Sequence, residues 1–219
     1  MKFTTHPYKH ADIVLADPRH KKDLDDILEV ISSISDEELK TRHLLRKNNG
    51  IKSSLAPTIN SLLKEKLVAK GWNAESSIFQ GEEYGTDKVW RLDFARGSVS
   101  VEVAFNHGEA IAWNLLKPVL ASSVNNVDKA IETEVGILIT TTKNLKIAGA
   151  FDNAVGEYEK VLRYLIPLST LMSVPLMIIG LEAPETFKLK SKYPNCDDWG
   201  SIIDLKPIAV NLPQESLSV

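Results

Sequence analysis

One seven-residue run constrains this chain more than any other. From Val99 to Phe105 the apolar Val99, Val101, Val103 and Phe105 alternate with Ser100, Glu102 and Ala104. Side chains of a β-strand repeat with a period of two, so the run predicts a strand with Glu102 and Ala104 on the face opposite the valines. Upstream, Leu92-Asp93-Phe94 reads as a neighbouring strand, and the intervening Ala95-Arg96-Gly97 is short enough for a hairpin. Such a hairpin brings together the carboxylates of Asp93 and Glu102, nine positions apart in the chain. Two adjacent carboxylates repel unless a cation lies between them, and oxygen ligands at that density suit Mg²⁺. The plainer reading is a solvated acidic face, which antiparallel hairpins often carry.

The remaining segments supply a frame for the hairpin. Leu24, Ile27, Leu28, Ile31 and Ile34 recur at helical spacing, which predicts an amphipathic helix from Lys21 to Ile34. Ser35 with Glu38 fits a capping box for a second, short helix. A third follows Pro57, with Ile59, Leu62, Leu63 and Leu67 on one face and Gly71 as its stop signal. Asn73 to Lys88 is polar and glycine-punctuated, and reads as irregular. Beyond the hairpin, Glu109 to Ala121 reads as a helix kinked at Pro118. Val135 to Thr140 reads as a buried strand, and Asp152 as the cap of a long helix bearing Val155, Tyr158, Leu162 and Leu165. Pro175 to Leu181 is a further buried strand, and Ile202 to Val210 one more at the sheet edge. This order implies an α/β fold, a mixed central sheet flanked by helices, in a single domain over 1–219.

Composition narrows the class. Apolar residues make up 43% and charged residues 25% of the 219, as in ordinary globular proteins. No apolar run is long enough to span a bilayer, and Met1 to His6 lacks the apolar core of a signal peptide, so a cytoplasmic protein with no membrane contact is expected. A lone cysteine, Cys196, excludes a disulfide framework and a cysteine-based zinc site. The net charge of −3 gives no global attraction to nucleic acid, leaving only a local basic surface for that purpose. No glycine-rich phosphate loop follows an early strand and no Ser or Cys nucleophile motif is present, which disfavours a metabolic α/β enzyme.

Taken in order, several segments carry a resemblance. They are Tyr8-Lys9-His10-Ala11-Asp12, Lys64-Glu65-Lys66-Leu67 with Lys70-Gly71-Trp72, Leu92-Asp93-Phe94, Val101-Glu102-Val103-Ala104-Phe105, and Val174 to Leu181. Together they resemble the BglII/BstYI family of type II restriction endonucleases, BamHI-like members of the PD-(D/E)xK superfamily, over nearly the whole chain. The resemblance implies a PD-(D/E)xK nuclease core, a homodimer, and Mg²⁺-dependent cleavage of double-stranded DNA at a palindromic site. Asp93 and Glu102 would be the metal ligands, and Glu75, three residues after Trp72, a further catalytic position; as a plain residue it is a solvated loop glutamate.

Position 104 departs from the family pattern, which has a polar side chain there, sharing the Glu102 face and directed at the metal. Alanine can contact neither water nor metal. Three accounts are open: Lys117 on the following helix reaches in, a metal that acidifies its own water needs no third side chain, or the residue was replaced to trap an inactive protein. The alternative function is a sequence-specific DNA-binding protein that has lost cleavage. The resemblance also places base reading in Asn106-His107-Gly108 and in Ala150 to Asn153. Asn suits adenine and Asp suits cytosine N4, so Asn106, His107, Asp152 and Asn153 are candidates for base edges. Lys143, Lys146, Lys117 and Arg96 are candidates for phosphates.

Overall fold

The computed structural model describes residues 1–48, 53–85, 88–123, 127–191 and 198–205. Its centre is a six-stranded mixed sheet in the order β1-β6-β5-β4-β3-β2. The strands are β1 (Phe3–Tyr8), β2 (Asn73–Ser77), β3 (Arg91–Arg96), β4 (Val99–Ala104), β5 (Val135–Thr141) and β6 (Leu176–Leu181). β4, β5 and β6 run parallel; β1 pairs antiparallel with β6, and β2, β3 and β4 form an antiparallel meander.

Helices cover both faces. On one lie α1 (Ala11–Ala16), α2 (Pro18–Ser33), α3 (Asp36–Asn48) and α4 (Ala56–Ala69); a short α5 (Glu82–Gly85) follows β2. The α2 and α4 face buries Ile27, Ile31, Leu63 and Leu67 against Val99, Val101, Ile137 and Ile139. The opposite face carries α6 (Ile111–Leu120) and α8 (Tyr158–Leu165), packed on Ala104, Leu138 and Ile178. The small α7 (Lys143–Ala148) follows β5, with Thr142 Oγ1 accepting from the Leu145 amide as its cap. Pro118, inside α6, sits directly on β5: a Cβ on Gly136 would lie 2.7 Å from it, which is why a glycine occupies that strand position.

Most predicted elements are present, with shifted ends. α2 starts at Pro18 because Asp17 accepts from the Arg19 amide and proline fits a first turn. Ser35 Oγ accepts from the Glu38 amide, as a capping residue should. Gly71 closes α4 at φ 85°: its amide and that of Trp72 donate back to Val68 and Leu67, and Trp72 packs into the same core as Leu67.

Four expectations are corrected. The Asn73 to Lys88 segment is not irregular throughout: Asn73–Ser77 is an edge strand, although Thr86 and Asp87 lie outside the described residues. The hairpin turn is not Ala95-Arg96-Gly97, because pairing continues to Arg96 opposite Val99 and Gly97 turns at φ 53°. Asp152 does not cap a long helix: it accepts from the Ala154 amide in a local turn, and α8 begins only at Tyr158. Ile202–Asp204 forms β8, paired with β7 (Phe187–Leu189) in a separate two-stranded sheet; the rest of that expected strand, and Cys196, lie outside the described residues.

Candidate active site

Backbone pairing between β3 and β4 runs from Arg96 opposite Val99 to Phe94 opposite Val101, then stops. At the next position the strands part, and side chains take over the ladder. The Val103 amide donates to Asp93 Oδ2 at 2.7 Å, and the Asp93 amide donates to Glu102 Oε1 at 3.2 Å. The two acids are thereby fixed in the split by the main-chain groups it exposes. Glu102 is only 2% exposed, which rules out the solvated-face reading.

From the α6 side, Lys117 donates its Nζ to Glu102 Oε2 at 2.7 Å. Burial, and then the charge of Asp93, push the Glu102 carboxyl up to about 8 despite Lys117. Burial likewise raises the Asp93 carboxyl, with the Val103 amide and Lys117 acting the other way. From the α4 side opens a cleft of about 120 Å³ lined by Asn60, Lys64, Glu75, Asp93, Phe94 and Val103. Glu75 lies between the paired Ala74–Phe94 and Ser76–Leu92 and so faces Asp93 across β2 and β3. Its φ of 54° is a left-handed conformation that a non-glycine residue adopts only under constraint. Lys64 pairs with Glu75 at 3.1 Å across the mouth of the cleft.

Sequence reasoning assigned no role to Lys64 or Asn60. Both sit on the exposed edge of α4, where a helical pattern records only the buried side; tertiary packing alone brings them to the acids.

The donor chemistry fits a small divalent cation. Asp93 and Glu102 present hard oxygen ligands, and Mg²⁺ is commonly held by one or two carboxylates with water completing its shell. Among the described residues no three His, Cys, Asp or Glu side chains converge on a single point, so Glu75 is a neighbour of the pair and not part of a three-carboxylate cluster.

Ala104 does not point into this cleft. Its methyl is buried beneath α6 with Ile111, Leu115 and Leu138, beside a closed gap lined also by Asn106, Asn114 and Thr140. It shares with Glu102 the face of β4 that α6 covers, as the alternation predicts. Lys117 occupies the position beside Glu102 instead.

The two expected base-reading segments are joined to each other. His107 pairs with Val155, and the Gly108 amide donates to the Ala154 carbonyl at 2.7 Å. His107 and Asp152 line one groove, floored by Phe105 stacked edge-on against Phe151. Asn106, His107 and Asn153 are exposed, as is Lys143 at the start of α7. Lys146 is engaged internally, donating to the Val155 carbonyl at 2.7 Å and to Glu157 at 2.8 Å. Arg96 is a structural residue, bound to Asp23 and Asp26 and lying 4.7 Å from the centre of the Trp72 ring.

The chain and its fold are similar to known proteins. A family model described as the restriction endonuclease BglII/BglIII matches residues 3–181. The structure is similar to BglII complexed with a DNA 16-mer, at 20% identity and a TM-score of 0.63, covering 94% of this chain and all 100% of that one. It is also similar to free BglII, at 19% identity and a TM-score of 0.51, over 94% of this chain and 91% of the other. At these identities the structural likeness concerns the fold. No curated protein sequence matches the chain. The family match runs from β1 through the split hairpin with its paired acids to the last residue of β6, and the chain therefore belongs to the BglII/BglIII family of restriction endonucleases.

Proposed function

We propose that this endonuclease hydrolyses phosphodiester bonds of double-stranded DNA at a short palindromic site, as a homodimer and with Mg²⁺ as cofactor. Its family makes it a site-specific deoxyribonuclease, and enzymes of that family generally use a divalent metal. The observation that carries the reading is the Glu102–Lys117 pair beside Asp93 in the split between β3 and β4.

Asp93 and Glu102 would hold the cation, with Glu75 at the cleft mouth. When bound, the ion supplies positive charge at the phosphate and acidifies water. Lys117 supplies what Ala104 lacks. Its ammonium is anchored on Glu102 and has further N–H groups to direct at a phosphate oxygen as negative charge grows there. Lys64 offers a second cation at the mouth for the same backbone. The Val103 amide keeps the Asp93 carboxylate turned toward Glu102. Asn106, His107, Asp152 and Asn153 would face base edges, and Lys143 a flanking phosphate. A two-fold dimer lets each protomer read half of a palindrome. The reading takes residues 1–219 as one nuclease domain and places it in the cytoplasm with its DNA.

Incubation with linear phage DNA and Mg²⁺ tests this. Discrete fragments are expected, and they should vanish with a chelator and in Asp93→Asn or Glu102→Gln. Wild-type cleavage by either variant would overturn the site. A second reading is a DNA-binding protein without cleavage, since Ala104 brings no polar group to the Glu102 face. Retarded but uncut DNA in the same incubation would establish it.

A further inference from the structure

One amide pair bridges the DNA-facing segment and the helix that carries Lys117. Asn114, on the inner side of α6 and 3% exposed, donates its Nδ2 to Asn106 Oδ1 at 2.9 Å. The return contact, from Asn106 Nδ2 to Asn114 Oδ1, is long at 3.5 Å. Asn106 is exposed just past β4, and its carbonyl accepts from the Gly156 amide at 3.1 Å. Asn114 lies three residues before Lys117, and residues three apart share a helix face.

The turn between them is intrinsically weak. Pro118 has no N–H to give to the Asn114 carbonyl, so α6 lacks one of its own bonds there. The gap that Asn114 shares with Asn106 is otherwise lined by Ala104, Ile111, Leu138, Gly156 and Val161 and by Thr140, whose hydroxyl donates to the Ala104 carbonyl at 3.0 Å. Leu115 and Pro118 pack this turn on the sheet, and its polar tie to the 106–108 segment runs through Asn106. Asn106 keeps Oδ1 on Asn114 while its Nδ2, only weakly bound, is available to DNA.

We propose that Asn114 is a positioning residue that couples engagement of the 106–108 segment with DNA to placement of the Lys117 ammonium. Contacts at Asn106 hold this turn of α6 in place, and so keep Lys117 on Glu102, where it already sits at 2.7 Å. This rests on the nuclease reading of the site.

Two measurements test it, both using a duplex oligonucleotide that carries the cut site mapped from phage-DNA digestion. The first is amide hydrogen exchange by mass spectrometry without divalent metal. In the wild type, duplex should slow exchange in both 105–108 and 111–120; in Asn114→Leu the slowing should stop at 105–108. The second is a double-mutant cycle with Lys117→Met in single-turnover cleavage with Mg²⁺. Asn114→Leu alone should lower the rate at least tenfold while duplex Kd stays within about twofold, and should add nothing in the Lys117→Met background. A merely structural asparagine would lower Tm and multiply with Lys117→Met. Should Asn114→Leu fail to fold, Asn106→Ala breaks the same pair from its exposed end and should show the same loss of slowing in 111–120 and the same non-additivity. Slowing that still reaches 111–120 in the variant, or multiplying rate losses, overturns the coupling while leaving the nuclease reading intact. A wild type that does not cut DNA removes both.

Discussion

Glu102 holds its proton to about pH 8 because burial and Asp93 oppose its charge more than Lys117 favours it. An unfolded glutamate releases its proton near pH 4.3. Between those values the folded chain binds more protons than the unfolded one, so this group's contribution to stability is present at low pH and lost as pH rises through the window. A cation must displace the same proton, so the Mg²⁺ concentration for half-maximal cleavage should fall as pH rises from about 6 to about 8. Titrating Mg²⁺ at several pH values checks this; a flat response would place the metal elsewhere. Lys117→Ala should lower cleavage by about a hundredfold or more, within the range usual for loss of a charge-stabilising donor. Ala104→Gln or Ala104→Lys should not raise cleavage, and should cost about 1–3 kcal/mol in thermal unfolding, because a longer side chain overpacks the closed gap beneath α6. Asp93→Asn should unfold near the wild-type temperature, whereas Asp93→Ala leaves the Val103 amide without its partner, at about 1–3 kcal/mol. The acid pair was legible in the sequence because strand alternation and a short turn suffice to bring Asp93 and Glu102 together. The apolar packing around Ala104 was not: alternation assigns it the Glu102 face but says nothing of the helix packed over that face.

Among the elements, the join between the hairpin and the helices rests on Arg96. It donates to Asp23 at 2.6 Å, to Asp26 at 2.7 Å and to the Lys70 carbonyl at 2.8 Å, tying β3 to α2 and to the end of α4. Arg96→Met should therefore cost about 3 kcal/mol in denaturant unfolding, since it takes the cation from Asp23 and leaves Asp26 to Lys22 and Lys70. Burial would raise the Asp26 carboxyl, but hydrogen bonds from Arg96, Lys22 and Lys70 outweigh it and hold the group below the usual range. Its contribution is present above about pH 3.9 and is lost as pH falls further, so the acid limb of the stability curve should flatten in the same variant. Sequence located Arg96 beside the site but could not show its partners, which come from residues more than twenty positions away. β2 escaped detection for a related reason. Asn73 to Ser77 contains no large apolar residue; its strand character comes from pairing with β3 and not from burial. Asp152 was misread because a short polar side chain stabilises a local turn as readily as a helix start.

For the whole molecule, a net charge of −3 means that affinity for DNA has to come from a local cationic surface. Binding should fall linearly with salt on logarithmic axes, the slope counting neutralised phosphates, and sedimentation should show dimers at micromolar concentration. Salt-insensitive binding by a monomer would contradict both. The sheet order has a consequence in time. β2, β3 and β4 are neighbours in sequence as well as in space, but β1 pairs with β6, placing Phe3 opposite Leu181. Non-local pairing is slow, and synthesis at about 5–20 residues per second leaves β1 waiting on the order of tens of seconds for its partner to emerge. The β2-β3-β4 meander should therefore form before the sheet closes. In pulse-labelled refolding, amides of 91–104 should gain protection ahead of those of 3–8, and a newly made chain would hold its paired acids before its first strand has a place to dock.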